Sequence, residues 1–167
     1  MKHYHKYHVE DYKHAEIFSL GSWNGLWFPW HNINWFLKYA NEQYHSHFLP
    51  GTCLSEAGLN FKNYHSVNKF YKYLNCLKVQ HQDKVEVFDI GRSSEGRALK
   101  VIKVGRKNGG LRPAVWIDAG IHAREWISPA SILYLINQLV ENYGSPENRN
   151  IVDNLDVYIL PSANPDG

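Results

Sequence analysis

From Tyr64 onward the apolar positions of the chain switch between two periods, and the switches divide it into elements. Val67, Phe70, Tyr71, Leu74 and Leu77 fall three or four residues apart, as one face of a helix does, so a helix is predicted from Ser66, as N-cap, to about Gln80. Val85 to Ile90 and Leu99 to Val104 read as strands. The glycines in the segment Gly91 to Arg97 between them predict a short antiparallel connection. Ala114 to Ile117 is a continuous apolar run, the pattern of a strand buried on both faces. Ile132, Leu133, Leu135, Ile136, Leu139, Val140 and Tyr143 then trace the inward face of a long helix, with Pro129 in its first turn and Gly144 as its stop. Pro146 opens a shorter helix through Ile151, and Asp156 to Leu160 forms a fourth strand before the turn signal Asn164-Pro165-Asp166-Gly167. Strands and helices in this order predict the α/β class with a mixed sheet.

Residues 1 to 60 differ in composition from the rest. They hold no arginine, four lysines, seven histidines and the tryptophans Trp23, Trp27, Trp30 and Trp35, whereas all six arginines come later. The boundary is expected near Gly58 to Asn60. The leader shows one helical pattern, from Asn32 through Ile33, Phe36, Leu37 and Ala40, and otherwise little periodicity, so it is expected to be poorly ordered. His3, His5 and His8 form a tract able to chelate a metal, although solvated residues of a loose leader are the simpler reading. The tryptophans read either as a docking surface or as a leader without selected function. Gly21, Asn24, Gly25 and Pro29 break the run from Ile17 to Trp30, which therefore does not read as a signal peptide.

Composition narrows the function by exclusion. The 167 residues carry a net charge of +2, too little for a basic stripe that binds nucleic acid. No run of about 18 apolar residues is available to cross a bilayer. The two cysteines, Cys53 and Cys76, lie in segments of different character and define no disulfide framework. Cys76 reads as a small apolar residue on a helix.

Chemistry concentrates after the apolar run Ala114 to Ile117. The segment Asp118-Ala119-Gly120-Ile121-His122-Ala123-Arg124-Glu125-Trp126 sets a histidine and a carboxylate three residues apart where a strand passes into a helix. In α/β proteins sites form outside the carboxyl ends of strands, and imidazole with carboxylate is two-thirds of a His₂Glu set for hydrolytic zinc. Spacing alone leaves a surface salt-bridging pair open as the alternative. Asp118 is a candidate to orient a neighbour, or a strand-end carboxylate bonding local amides; Glu95 and Arg97 read as turn residues.

Four segments together carry a resemblance. Gly120-Ile121-His122-Ala123-Arg124-Glu125-Trp126, the earlier Gly91-x-Ser93-x-Glu95-Gly96-Arg97, the helix entry Tyr64-His65-Ser66, and Leu160-Pro161 with Asn164-Pro165-Asp166-Gly167 resemble the zinc metallocarboxypeptidases of the pancreatic A/B type, in the family's order over residues 61 to 167. The resemblance implies a three-layer α/β/α zinc-exopeptidase domain with an eight-stranded mixed sheet, of which residues 61 to 167 supply the first half. The strand Ala114 to Ile117 would then be left as a bare edge. It also implies a secreted enzyme that removes one C-terminal amino acid from peptide or protein C-termini. His122 and Glu125 would be zinc ligands, and Arg124 would contact the substrate upstream of the residue removed.

In the family the third ligand, a histidine, and the general base, a glutamate, come later. No histidine follows His122 here, so the expected Zn2+ site lacks its third ligand, and the chain is expected to be inactive on its own. The alternative function is a non-catalytic truncated product or a peptide-binding isoform of a carboxypeptidase gene. A zinc deacylase on the same fold is a remoter reading, opposed by Arg124 and by the Asn164 to Gly167 ending.

Overall fold

A computed structural model describes residues 15–19, 51–107 and 110–167. Its elements are β1 (Ala15–Ser19), α1 (Cys53–Ala57), α2 (Val67–Gln80), β2 (Val85–Arg92), β3 (Ala98–Val104), β4 (Ala114–Asp118), α3 (Ile127–Val140), α4 (Pro146–Asn154) and β5 (Asp156–Leu160). The strands form one mixed sheet in the order β1-β4-β5-β3-β2. The β4 strand is parallel to β1 and to β5, while β3 is antiparallel to both β5 and β2. This is the α/β class expected from the sequence.

The register explains why the strands alternate as they do. Val85 faces Val104, Val104 faces Val157, and Val157 faces Val115; the next row runs Val87, Ile102, Ile159 and Ile117. Successive residues of a strand point to opposite faces, so these rows line one side of the sheet. Phe70, Tyr73, Leu74 and Leu77 of α2 and Ile132, Ile136 and Leu139 of α3 join that side in a single buried cluster. Each such side chain taken from water contributes about 1.5–3 kcal/mol, which makes this face the main stabilising surface. Inside it, Asn137 Nδ2 donates to Tyr73 Oη at 3.1 Å, tying α3 to α2.

Several expectations are corrected. Cys53 and Cys76 form a disulfide, with their Cα atoms 5.5 Å apart. The chain folds back after α1, so that α1 lies along α2 and brings the two sulfurs together. The compositional boundary at 58–60 does not divide the packing either, because Cys53, Leu54, Ala57 and Leu59 are buried in the core. The strand β4 is not a bare edge: β1 pairs with it from Ala15 opposite Ala114 to Ser19 opposite Asp118. Nor is it buried on both faces, since every residue of Ala114–Asp118 keeps partial exposure. Trp116 and Asp118 alternate to the side away from the valine rows, and there the Trp116 indole donates to Asp118 Oδ2 at 3.2 Å.

Two helix ends also differ in detail. Ser66 takes the N-cap place of α2 with its backbone but makes no side-chain cap, whereas Ser145 caps α4 by accepting from the Asn148 amide at 3.2 Å. The α3 helix stops at Val140, before Gly144. The expected helix from Asn32, the histidine tract and the leader tryptophans lie outside the described residues.

Candidate functional site

The parallel pair β4 and β5 ends with Asp118 beside Leu160, and the two chains leaving those ends are knitted together. Ala119 N–H donates to Leu160 O at 3.0 Å, Ala163 N–H to Ala119 O at 2.7 Å, and Asn164 N–H to Gly120 O at 2.9 Å. The Asn164 side-chain amide donates to Ile121 O at 3.2 Å. Gly120 turns the chain out of the strand at φ +65°, a left-handed conformation that favours glycine. A Cβ there would also come within 3.4 Å of Ser162 Cα.

Beyond Gly120 a tight turn leads into α3. Glu125 N–H donates to His122 O at 3.1 Å, and Ser128 N–H to Glu125 O at 3.0 Å. Because the turn curls over three residues, it brings the two side chains together. His122 Nδ1 lies 3.1 Å from Glu125 Oε2, with the side chains 59% and 39% exposed. Both groups therefore remain open to solvent. Imidazole nitrogen and carboxylate oxygen are zinc donors, and the pair fits two positions of a three-ligand hydrolytic set. Among the described residues no group of three or more histidine, cysteine or acidic side chains is placed to hold a metal ion.

Arg124 and Glu125 line an open cleft with Tyr64, Trp126 and Ile127. The Trp126 indole donates to Ala123 O at 2.9 Å, and Tyr64 meets the Trp126 ring edge-on at 5.7 Å between centroids. Tyr64, from the entry to α2, thus belongs to this cleft. Sequence reading had only its place in the Tyr64-His65-Ser66 motif to suggest so.

Glu95 and Arg97 do lie in the β2–β3 turn, but their contacts reach further than a turn requires. Arg97 pairs with both Glu95 and Asp166. Ser93 Oγ, Ser94 Oγ and Glu95 N–H also donate to the Asp166 carboxylate, at 2.8, 3.0 and 3.0 Å. Burial opposes ionisation of Asp166, yet the Glu95 amide, the two hydroxyls and the Arg97 guanidinium outweigh it and hold the carboxyl well below the usual carboxylate range. The serines and Asp166 escape a pattern-based reading because each looks like ordinary turn chemistry in its own segment.

A profile of the zinc carboxypeptidases, the peptidase M14 family, matches residues 70–167, more than half of the chain. The chain belongs to this family. Human carboxypeptidase A6 is 41% identical over 114 residues, which are 68% of this chain and 26% of the relative. Carboxypeptidase B of Astacus astacus is 37% identical over 109 residues, 65% of this chain and 35% of the relative. Among solved structures, thrombin activatable fibrinolysis inhibitor superposes with a TM-score of 0.60 at 34% identity, covering 75% of this chain and 31% of that one. Carboxypeptidase A of Helicoverpa armigera gives a TM-score of 0.61 at 28% identity, covering 82% and 31%. The matched part thus spans between a quarter and about a third of each relative's length. The described α/β unit thus has the fold of part of these zinc carboxypeptidases.

Proposed function

We propose that residues 61–167 supply the amino-terminal part of a metallocarboxypeptidase site that removes single C-terminal amino acids from peptides and proteins. In this reading His122 and Glu125 are two of the zinc donors, and Arg124 holds the peptide upstream of the residue removed. The observation that carries the reading is the 3.1 Å approach of His122 Nδ1 to Glu125 Oε2 at the carboxyl ends of β4 and β5, within the segment matched to the zinc carboxypeptidase family. Bound there, zinc would polarise the scissile carbonyl and lower the pKa of a water to about 7.

The remaining contributions belong to the chain's own groups. His122 and Glu125 present an imidazole nitrogen and a carboxylate oxygen from one hydrogen-bonded turn, side by side before any ligand arrives. Arg124, an exposed cation beside them, is suited to the carbonyl and carboxylate oxygens of a peptide. Tyr64 and Trp126 form the wall of the cleft past Arg124. With two donors the site holds an ion weakly, because a largely hydrated metal gains little from an incomplete ligand set. In this reading a third ligand and a general base, which the described residues do not bring to the pair, complete the site.

An extracellular setting fits the Cys53–Cys76 disulfide, since such bonds persist in oxidising compartments. No helix among the described residues is long and apolar enough to cross a membrane. Neither nucleic acid nor membrane is proposed as a partner.

The test is a graft of residues 61–167 into human carboxypeptidase A6 in place of the aligned stretch, assayed on peptides ending in Phe, Leu, Lys and Arg. Chelator-sensitive release of one C-terminal residue, lost in His122→Ala and in Glu125→Gln, is expected. Release that persists in those variants, or a folded graft that holds zinc but cleaves none of the peptides, would contradict the reading.

A further inference from the structure

The Asp166 cluster joins two turns that are each already closed by their own backbone. In the β2–β3 connection Ser93 N–H donates to Arg97 O at 2.8 Å and Gly96 N–H to Ser93 O at 3.0 Å. In the terminal turn Gly167 N–H donates to Asn164 O at 3.2 Å. The four donors on Asp166 are therefore surplus to either turn. What they add is the position of one turn relative to the other, across 69 to 73 residues of sequence.

That relative position reaches the candidate donors. Two residues before Asp166, Asn164 holds Gly120 O through its N–H at 2.9 Å and Ile121 O through its side chain at 3.2 Å. One residue after Asp166, Gly167 lies so close to Ala123 that an added Cβ would fall 2.8 Å from the Ala123 Cβ. Residues 120 to 123 are thus gripped from both sides of Asp166, and His122 stands between the gripped points. The Asp166 side chain keeps only 12% of its exposure, so water competes little for its bonds. Hydrogen bonds to an ionised group are about twice as strong as neutral ones, which suits this carboxylate to a clamp.

We propose that Asp166, seated in the Ser93–Arg97 turn, is a positioning residue that fixes the His122 segment and thereby the geometry of the His122–Glu125 pair. The inference rests on the reading of that pair given above. Asp166 touches neither donor and acts through Asn164 and Gly167.

The test uses the full chain and the variants Asp166→Asn, Arg97→Ala and Arg97→Lys, with Tyr143→Phe as a control that removes a bond to Asp153 in a different part of the fold. Amide exchange is followed at Ala163 and Asn164, whose N–H groups hold Ala119 O and Gly120 O, and at Ile102 in β3. The nuclear Overhauser contact between the Ala123 methyl and Gly167 reports the second grip. Asp166→Asn and Arg97→Ala are expected to speed exchange at Ala163 and Asn164 by roughly tenfold or more and to lose the Ala123–Gly167 contact, while Ile102 stays protected. Arg97→Lys, which keeps the cation, is expected to restore most of the protection that Arg97→Ala loses, and Tyr143→Phe is expected to leave both readouts unchanged. Unchanged exchange and contact in the two disruptive variants would overturn the proposal. So would loss of protection at Ile102 in step with Ala163, which marks a purely structural role, or a lysine variant no better than alanine. These readouts need no metal, so a failure of the zinc reading shows separately, as Zn2+ binding indifferent to His122→Ala.

Discussion

The helix-facing side of the sheet and the loops at its carboxyl end are built on different principles, although β4 and β5 belong to both. Rows such as Val87, Ile102, Ile159 and Ile117 hold by apolar contact with α2 and α3, and most of their members are excluded from water. Residues 119–126 and 161–167 hold by directional polar bonds around Gly120, Asn164 and Asp166, and apart from Ala119 and Pro161 they remain partly open to solvent. The first region tolerates rearrangement of detail as long as volume is conserved. The second does not, because a hydrogen bond missed by an ångström is lost. Rigid burial therefore supplies the platform, while a small polar network sets the candidate donors upon it.

The largest expected effect breaks the platform. Ile102→Ala removes a fully buried side chain from the middle of the valine and isoleucine rows and is expected to cost about 2–5 kcal/mol in chemical denaturation. Opening the disulfide by Cys53→Ser with Cys76→Ser follows. The bond closes a loop across a sequence separation of 23, and its loss is expected to cost about 3 kcal/mol, read as a lower denaturation midpoint under matched conditions. Both changes should leave bonds such as Asn164 to Gly120 intact in the molecules that remain folded.

Much of the platform was legible because its physics is periodic. The boundaries of β5 and most of the buried face of α2, Phe70, Leu74 and Leu77, follow from spacing, whereas the fully buried Tyr73 does not. The disulfide was not legible: nothing local to Cys53 or Cys76 reports that α1 folds back along α2. The site was legible in part. The His122–Glu125 spacing and the Gly120 corner are local features, and the structure brings those two side chains together beyond that corner. The bonds from Ser93, Ser94 and Arg97 to Asp166 span 69 to 73 residues, and no pattern within either turn announces the other.

A third test sharpens the comparison through pH. The folded state depresses the Asp166 pKa, so its ionised form contributes stability that is fully present above the ordinary carboxylate pKa of about 4 and is lost as pH falls through the folded value. Asp166→Asn should flatten part of the acid limb of the stability profile, with the largest difference from the parent chain at neutral pH. The smallest effect lies inside the platform. Burial pushes the Glu141 carboxyl up despite the hydrogen bond from Asn137. Its ionised form at neutral pH therefore costs stability, and that cost fades as pH falls through the raised folded value and is gone below the ordinary carboxylate pKa. Glu141→Gln keeps an acceptor for Asn137 and should raise the melting temperature slightly at pH 7, with the gain shrinking towards pH 4.

Whether His122 and Glu125 are a pair of metal donors set in place by the polar network is decided by a Zn2+ titration of the full chain followed by nuclear magnetic resonance at both side chains. Weak, chelator-reversible binding is expected, shifting the His122 ring and the Glu125 carboxylate together and disappearing in either His122→Ala or Glu125→Gln. A tightly held zinc that survives His122→Ala, or a titration that leaves both side chains unperturbed, would contradict it.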